Sequence, residues 1–238
     1  MSKAVVASNF FRNLLRSLFF VVIFPVTLVA ERTAKSVFIE APGDAPKKVF
    51  LVALEEDAIE VPLPTRAFSP EIELPNGDLV FAVLPRPLAE DEEIPAGAPK
   101  VRIPKDWTHC YLLFTFEKTN KVFPVKVIVI DGSANEFPLG HTRIVNLSEA
   151  RVRGKFGEQI LNIEPKKIKT LEPQRKDRGA FPVAIDYLEK GAEKSRPLTR
   201  TNWQHDPRSR KVLLITKPAG VKFPRIRGIQ DRVRPKKK

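Results

Sequence analysis

The chain has 238 residues, 42% apolar and 29% charged, a balance that describes a globular protein and excludes wholesale disorder. Its single cysteine, Cys110, excludes an intrachain disulfide. A formal net charge of +13 points toward anionic partners.

Residues 1–16 carry Lys3, Arg12 and Arg16 with no acidic residue, and SLFFVVIFPVTLVA (17–30) follows without a charge. A basic segment, a short apolar core and a small residue at Ala30 are the parts of a secretory signal. The apolar stretch falls short of the roughly 20 residues a spanning helix needs, and Pro25 would kink it. Leu28 stands where a small residue is wanted for cleavage, so two readings stay open for residues 1–30: a cleaved signal peptide and an uncleaved signal anchor. Both predict a bacterial protein whose remainder is exported, to the periplasm or the outer surface.

From Lys35 onward, short runs rich in Val, Ile, Phe and Leu are each closed by Pro, Gly or charged turn residues, the pattern of β-strands. In the first half these are KVFLVAL (48–54), IEVPL (59–63), EIELP (71–75), LVFAVLP (79–85), KVRIP (100–104), CYLLFTF (110–116) and FPVKVIVI (123–130). In the second half they are TRIVNL (142–147), VRGKF (152–156), QILNIE (159–164), IKTLE (168–172), FPVAIDYL (181–188), KVLLIT (211–216) and PRIRGI (224–229). Pro75-Asn76-Gly77-Asp78 and Phe156-Gly157-Glu158 read as turns between paired strands. The best helical candidate, AIDYLEKGAEK (184–194), also fits a strand followed by a turn.

These elements predict an all-β fold, an antiparallel β-sandwich of immunoglobulin-like type, built as one sandwich or as two similar modules. The modules would span 35–131 and 132–231, with 232–238 a basic disordered tail. Trp-x-His before a Leu-Leu strand, in WTHCYLLF (107–114) and WQHDPRSRKVLLI (203–215), suggests a duplication. Charge also divides the chain. Residues 35–130 hold 11 basic and 15 acidic side chains, a net of −4, whereas residues 131–238 hold 26 and 12, a net of +14.

Few residues invite a chemical role. His109, His141 and His205 are widely spaced and lack the paired spacing of a zinc site. In HDPRSR (205–210) neighbouring side chains of an extended chain point to opposite faces, and Asp-Pro starts a turn, so a hairpin loop is expected rather than a dyad. No serine has a nucleophile-elbow context, and Gly154 and Gly157 precede no helix start that would cradle phosphate. Cys110 reads as a small core hydrophobe, and Trp107 and Trp203 as buried aromatics opening strands. Neither catalytic nor metal residues are assigned, and no cofactor is expected.

Arginines and a lysine on alternate strand positions stand out in the basic half. Arg143, Arg151, Arg153, Lys155, Arg225 and Arg227 form a candidate polyanion-binding face. After export the available polyanions are envelope glycans, acidic lipid headgroups and acidic proteins, so nucleic acid is disfavoured as a partner. Contact with the membrane is expected only through an uncleaved N-terminal anchor.

The stretches SPEIELPNG (69–77), RIVNLSEARVRGKFG (143–157), NWQHDPRSRKVLLI (202–215) and RIRGIQD (225–231) resemble a group of exported proteins of unknown function from verrucomicrobial-type bacteria, over most of residues 60–231. The resemblance implies a periplasmic or surface β-protein and carries no activity, ligand or site residues. A non-catalytic exported protein that binds or scaffolds in the cell envelope is therefore expected. One alternative is an envelope hydrolase acting on glycan or peptide through paired carboxylates. A second is a basic nucleic-acid-binding protein, which requires the chain to stay inside the cell.

Overall fold

The computed structural model of the protein describes residues 32–53, 57–218 and 220–232. The expected signal segment, and the tail beyond Arg232, lie outside these described residues. Every regular element among the described residues is a β-strand. The first eight are β1 (Arg32–Phe38), β2 (Lys48–Val52), β3 (Ile59–Pro62), β4 (Ile72–Leu74), β5 (Leu79–Leu84), β6 (Lys100–Ile103), β7 (His109–Phe116) and β8 (Val125–Asp131). The second eight are β9 (Thr142–Asn146), β10 (Arg151–Phe156), β11 (Gln159–Ile163), β12 (Ile168–Leu171), β13 (Gly179–Leu188), β14 (Arg196–His205), β15 (Ser209–Thr216) and β16 (Arg225–Arg232).

The strands build four sheets, ordered β3-β2-β5-β6, β4-β1-β7-β8, β12-β9-β15-β16 and β11-β10-β13-β14. Adding eight to each strand number of the first two orders reproduces the last two, so the halves share one topology. Most pairings are antiparallel, but β1 runs parallel to β7 and β9 runs parallel to β15. This departs from a wholly antiparallel sandwich. Side-chain alternation marks a strand without stating its direction, and each first strand returns to lie beside the seventh of its half.

Alternation decides where the cores sit. Ala34 and Phe38 of β1, with Cys110, Leu112 and Phe114 of β7, face Val49, Leu51, Phe81, Val83 and Ile103 of the partner sheet. Ile144, Leu213 and Ile215 likewise face Val152, Phe156, Leu161, Val183 and Ile185. The opposite faces of β1 and β7 carry Val37, Tyr111 and Leu113. These meet Val145, Val212, Leu214 and Ile229 in a third core that joins the halves. The result is four layers, with β4-β1-β7-β8 and β12-β9-β15-β16 inside. Strands buried on both faces need near-continuous apolar runs, which is why CYLLF and VLLI lack polar interruptions.

Two strands are invisible to the apolar pattern. β1 reads RTAKSVF, with Arg32, Lys35 and Ser36 buried. β14 reads RPLTRTNWQH and turns mostly polar residues outward. The 184–194 segment takes the strand-and-turn reading, with β13 ending at Leu188. The Pro75–Asp78 turn joins β4 to β5, which lie in different sheets, and so does not close a hairpin. The same turn residues serve both kinds of connection. In the Trp-x-His echo, Trp107 precedes β7 whereas Trp203 lies within β14, so those tryptophans occupy non-equivalent positions, although Leu112-Leu113 and Leu213-Leu214 sit on corresponding strands.

Candidate functional site

The outer sheet β11-β10-β13-β14 carries three of the six residues expected on the basic face. On β10, Val152 and Phe156 point into the core while Arg151, Arg153 and Lys155 point to solvent. Lys155 lies opposite Ala184, which lies opposite Arg200 on β14, so Arg200 joins the same surface. Two of these four cations are engaged by carboxylates: Arg151 with Glu164 at 2.9 Å and Arg200 with Asp186 at 2.6 Å. Arg153 donates to Ser195 Oγ at 3.1 Å. Lys155 has no ion-pair partner within 4 Å among the described residues, and the face keeps a surplus of positive charge. Gly154 sits between them at φ +147°, where a Cβ would run into the carbonyl oxygen of Ala184. Its hydrogen side chain permits the close approach of β10 to β13.

The six candidate residues do not form one surface. Arg143 is buried on β9. Its guanidinium donates to Thr170 Oγ1 at 2.9 Å, to Glu136 O at 2.6 Å and to Asp131 O, and it stacks over Phe137 with 4.5 Å to the ring centroid. It ties the linker between the halves to the inner sheet and is closed to a polyanion. Arg225 and Arg227 lie on β16, in an inner sheet, with Arg225 exposed and Arg227 half-buried and donating to Thr65 O. A period of two shows which residues share a strand face, but which strands become neighbours is a property of the whole topology.

His109 stands apart from the other two histidines. His109 begins β7, and His205 ends β14 immediately before the turn in which Asp206 Oδ1 accepts from the Arg208 amide at 3.1 Å. His141, His205 and Asp206 line one cavity of about 10 Å³, room for a single water at most and not for a substrate. Asp206 is further held by Arg178 at 2.8 Å. Among the described residues, no group of three or more His, Cys, Asp or Glu is placed to hold a metal ion. Cys110 is buried in the first core, and burial pushes its thiol up to about 12.

An open cleft of about 960 Å³ on the other outer sheet is lined by Asp78, Asp91, Glu92 and Glu93. Arg102 holds Asp78 at 2.5 Å and Arg86 holds Glu92 at 2.7 Å. The Arg86 hydrogen bond pushes the Glu92 carboxyl down to about 2, and Arg102 holds Asp78 below its ordinary value. That is the opposite of what a proton-donating carboxylic acid in a glycoside hydrolase requires.

Strand patterns give no hint of a buried polar cluster where the halves meet. Lys35 Nζ lies 2.7 Å from Asp231 Oδ1, and Tyr111 Oη donates to Asp231 Oδ2 at 2.7 Å. Arg210 Nη1 donates to Gly132 O at 2.7 Å, and His109 Nδ1 pairs with Thr33 Oγ1 at 2.8 Å. His109 Nε2 and Arg210 Nε are buried without a partner among the described residues. Burial pushes the His109 imidazole down to about 4, and the Lys35 charge adds to this. Burial alone would raise the Asp231 carboxyl, but the Lys35 and Tyr111 hydrogen bonds overbalance it and hold it below its usual value. The cluster joins two sheets, and the Lys35 ammonium also lies 3.6 Å from the exposed Glu71 carboxylate. No protein-family model matches this chain, and no curated protein matches it.

Proposed function

We propose that the chain is a non-catalytic, exported β-sandwich protein of the bacterial cell envelope that binds or scaffolds an anionic component there, such as glycan, lipid headgroup or acidic protein. One observation carries this reading: Arg151, Arg153, Lys155 and Arg200 share the solvent face of a four-stranded sheet whose carboxylates offset only part of their charge. A surface of this kind attracts polyanions through release of their counterions. The basic, then apolar, N-terminal segment supports export, which places envelope polyanions within reach and nucleic acid out of it. Each eight-stranded half is read as an immunoglobulin-like sandwich, on the support of two antiparallel-rich sheets enclosing one core.

Fractionation of the native protein, with its N-terminus read by mass spectrometry, tests both parts of the proposal. The expected outcome is a chain in the envelope fraction, released by salt, with Arg153→Gln/Lys155→Gln released at lower salt. Recovery from the cytoplasm with nucleic acid would sink it.

A further inference from the structure

A second open cleft, of about 1100 Å³, runs along the seam between the halves. Its first-half walls are the loops around residues 40–47 and 62–70, and β16 contributes Arg227. Two contacts cross the seam at this point: Thr216 Oγ1 donates to Glu40, and Arg227 Nη2 donates to Thr65 O. Five prolines, Pro42, Pro46, Pro62, Pro64 and Pro70, stiffen the walls.

The charge of the cleft is one-sided, with Lys47, Arg66 and Arg227 against Glu40 alone. Prolines contribute no N–H. Several wall carbonyls are already engaged: Pro42 O accepts from Ala45 N at 3.0 Å, Pro64 O from Phe38 N at 2.9 Å, and Pro62 O from Ser36 Oγ. The cationic groups of Lys47, Arg66 and Arg227 line it, none within ion-pair distance of a carboxylate among the described residues. Glu40 is the one acidic side chain in the lining, and Thr216 engages it. The cleft therefore selects a ligand rich in anionic acceptor oxygens. Its volume exceeds the roughly 300–1,000 Å³ of ordinary small-molecule sites, which favours a short oligomer over a single ion. Proline rings and the half-buried Phe68 also offer C–H surface on which sugar rings pack.

We infer that this seam cleft binds a short acidic oligosaccharide, its carboxylates held by Lys47, Arg66 and Arg227. The site is separate from the Arg153/Lys155 face, and the two proposals fail independently.

Calorimetric titration of the full chain with tetragalacturonate, and with neutral maltotetraose as control, tests the inference. Lys47 and Arg66 are exposed, so Lys47→Ala/Arg66→Ala keeps its fold, checked by an unchanged Tm. The expected result is tetragalacturonate binding weakened at least tenfold in that variant, tightened severalfold in Glu40→Gln and unchanged in Arg153→Gln/Lys155→Gln, with no binding of maltotetraose. Absence of tetragalacturonate binding, equal binding of the neutral sugar, or undiminished binding by Lys47→Ala/Arg66→Ala overturns it.

Discussion

Lys35 and Asp231, 196 residues apart in the chain, meet at 2.7 Å within the interface of the two halves, and Tyr111 completes the coordination of the carboxylate. The pair is almost fully buried, with Glu71 a further 3.6 Å neighbour of the ammonium. A buried pair of this kind costs little when both partners are replaced by apolar residues, but removing one strands the other charge. Asp231→Leu alone is expected to cost about 3–5 kcal/mol, and Lys35→Met/Asp231→Leu clearly less than the sum of the single changes. Urea unfolding of the two single variants and the double variant measures the coupling. Strict additivity would show that the pair does not hold the halves together.

Acid should weaken the same interface through His109. Its folded imidazole titrates near 4, below the ordinary value of about 6.5, so between those values the unfolded chain binds the extra proton. The sign follows: this contribution is complete above about pH 6.5 and is lost as pH falls toward 4, amounting to at most about 3 kcal/mol. Asp231, held below its ordinary value, adds a loss in the same direction at still lower pH. In His109→Gln, the slope of unfolding free energy between pH 6.5 and 4 should flatten. An unchanged slope would place the acid response elsewhere.

Cys110 sits 1% exposed in the first core, and its thiol is raised to about 12, so thiolate is scarce at neutral pH. Iodoacetamide at pH 8 is expected to leave the native protein unlabelled and to label it fully in urea. Rapid native labelling would show that the first sandwich opens.

Gly154 should tolerate no side chain. With φ at +147° and the Ala184 oxygen in the path of a Cβ, Gly154→Ala is expected to cost about 2–3 kcal/mol and to disturb Arg153 and Lys155 on either side. Thermal unfolding checks the first effect and salt-dependent polyanion binding the second.

Most strands were legible because their apolar runs end in Pro, Gly or charge. β1 and β14 were not, since Lys35 and Ser36 are buried polar residues and β14 has one wet face with few apolar side chains to mark it. The unbroken runs of β7 and β15 signalled burial on both faces without showing what covers them. Arg143 illustrates the limit for the site. Its sequence pattern matches that of Arg151 and Arg153, yet β9 lies inside the four layers and β10 outside. Only long-range strand order separates a structural arginine from a surface one. For the same reason the seam cleft, which draws residues 47, 66 and 227 together, has no local signature.

Polyanion binding by the β10 face is measured by the salt dependence of binding to dextran sulfate by the wild-type chain and Arg153→Gln/Lys155→Gln. Weaker binding by the variant is expected, with the slope of log K against log salt shallower by roughly one to two. Identical affinity and slope for the two proteins would contradict it.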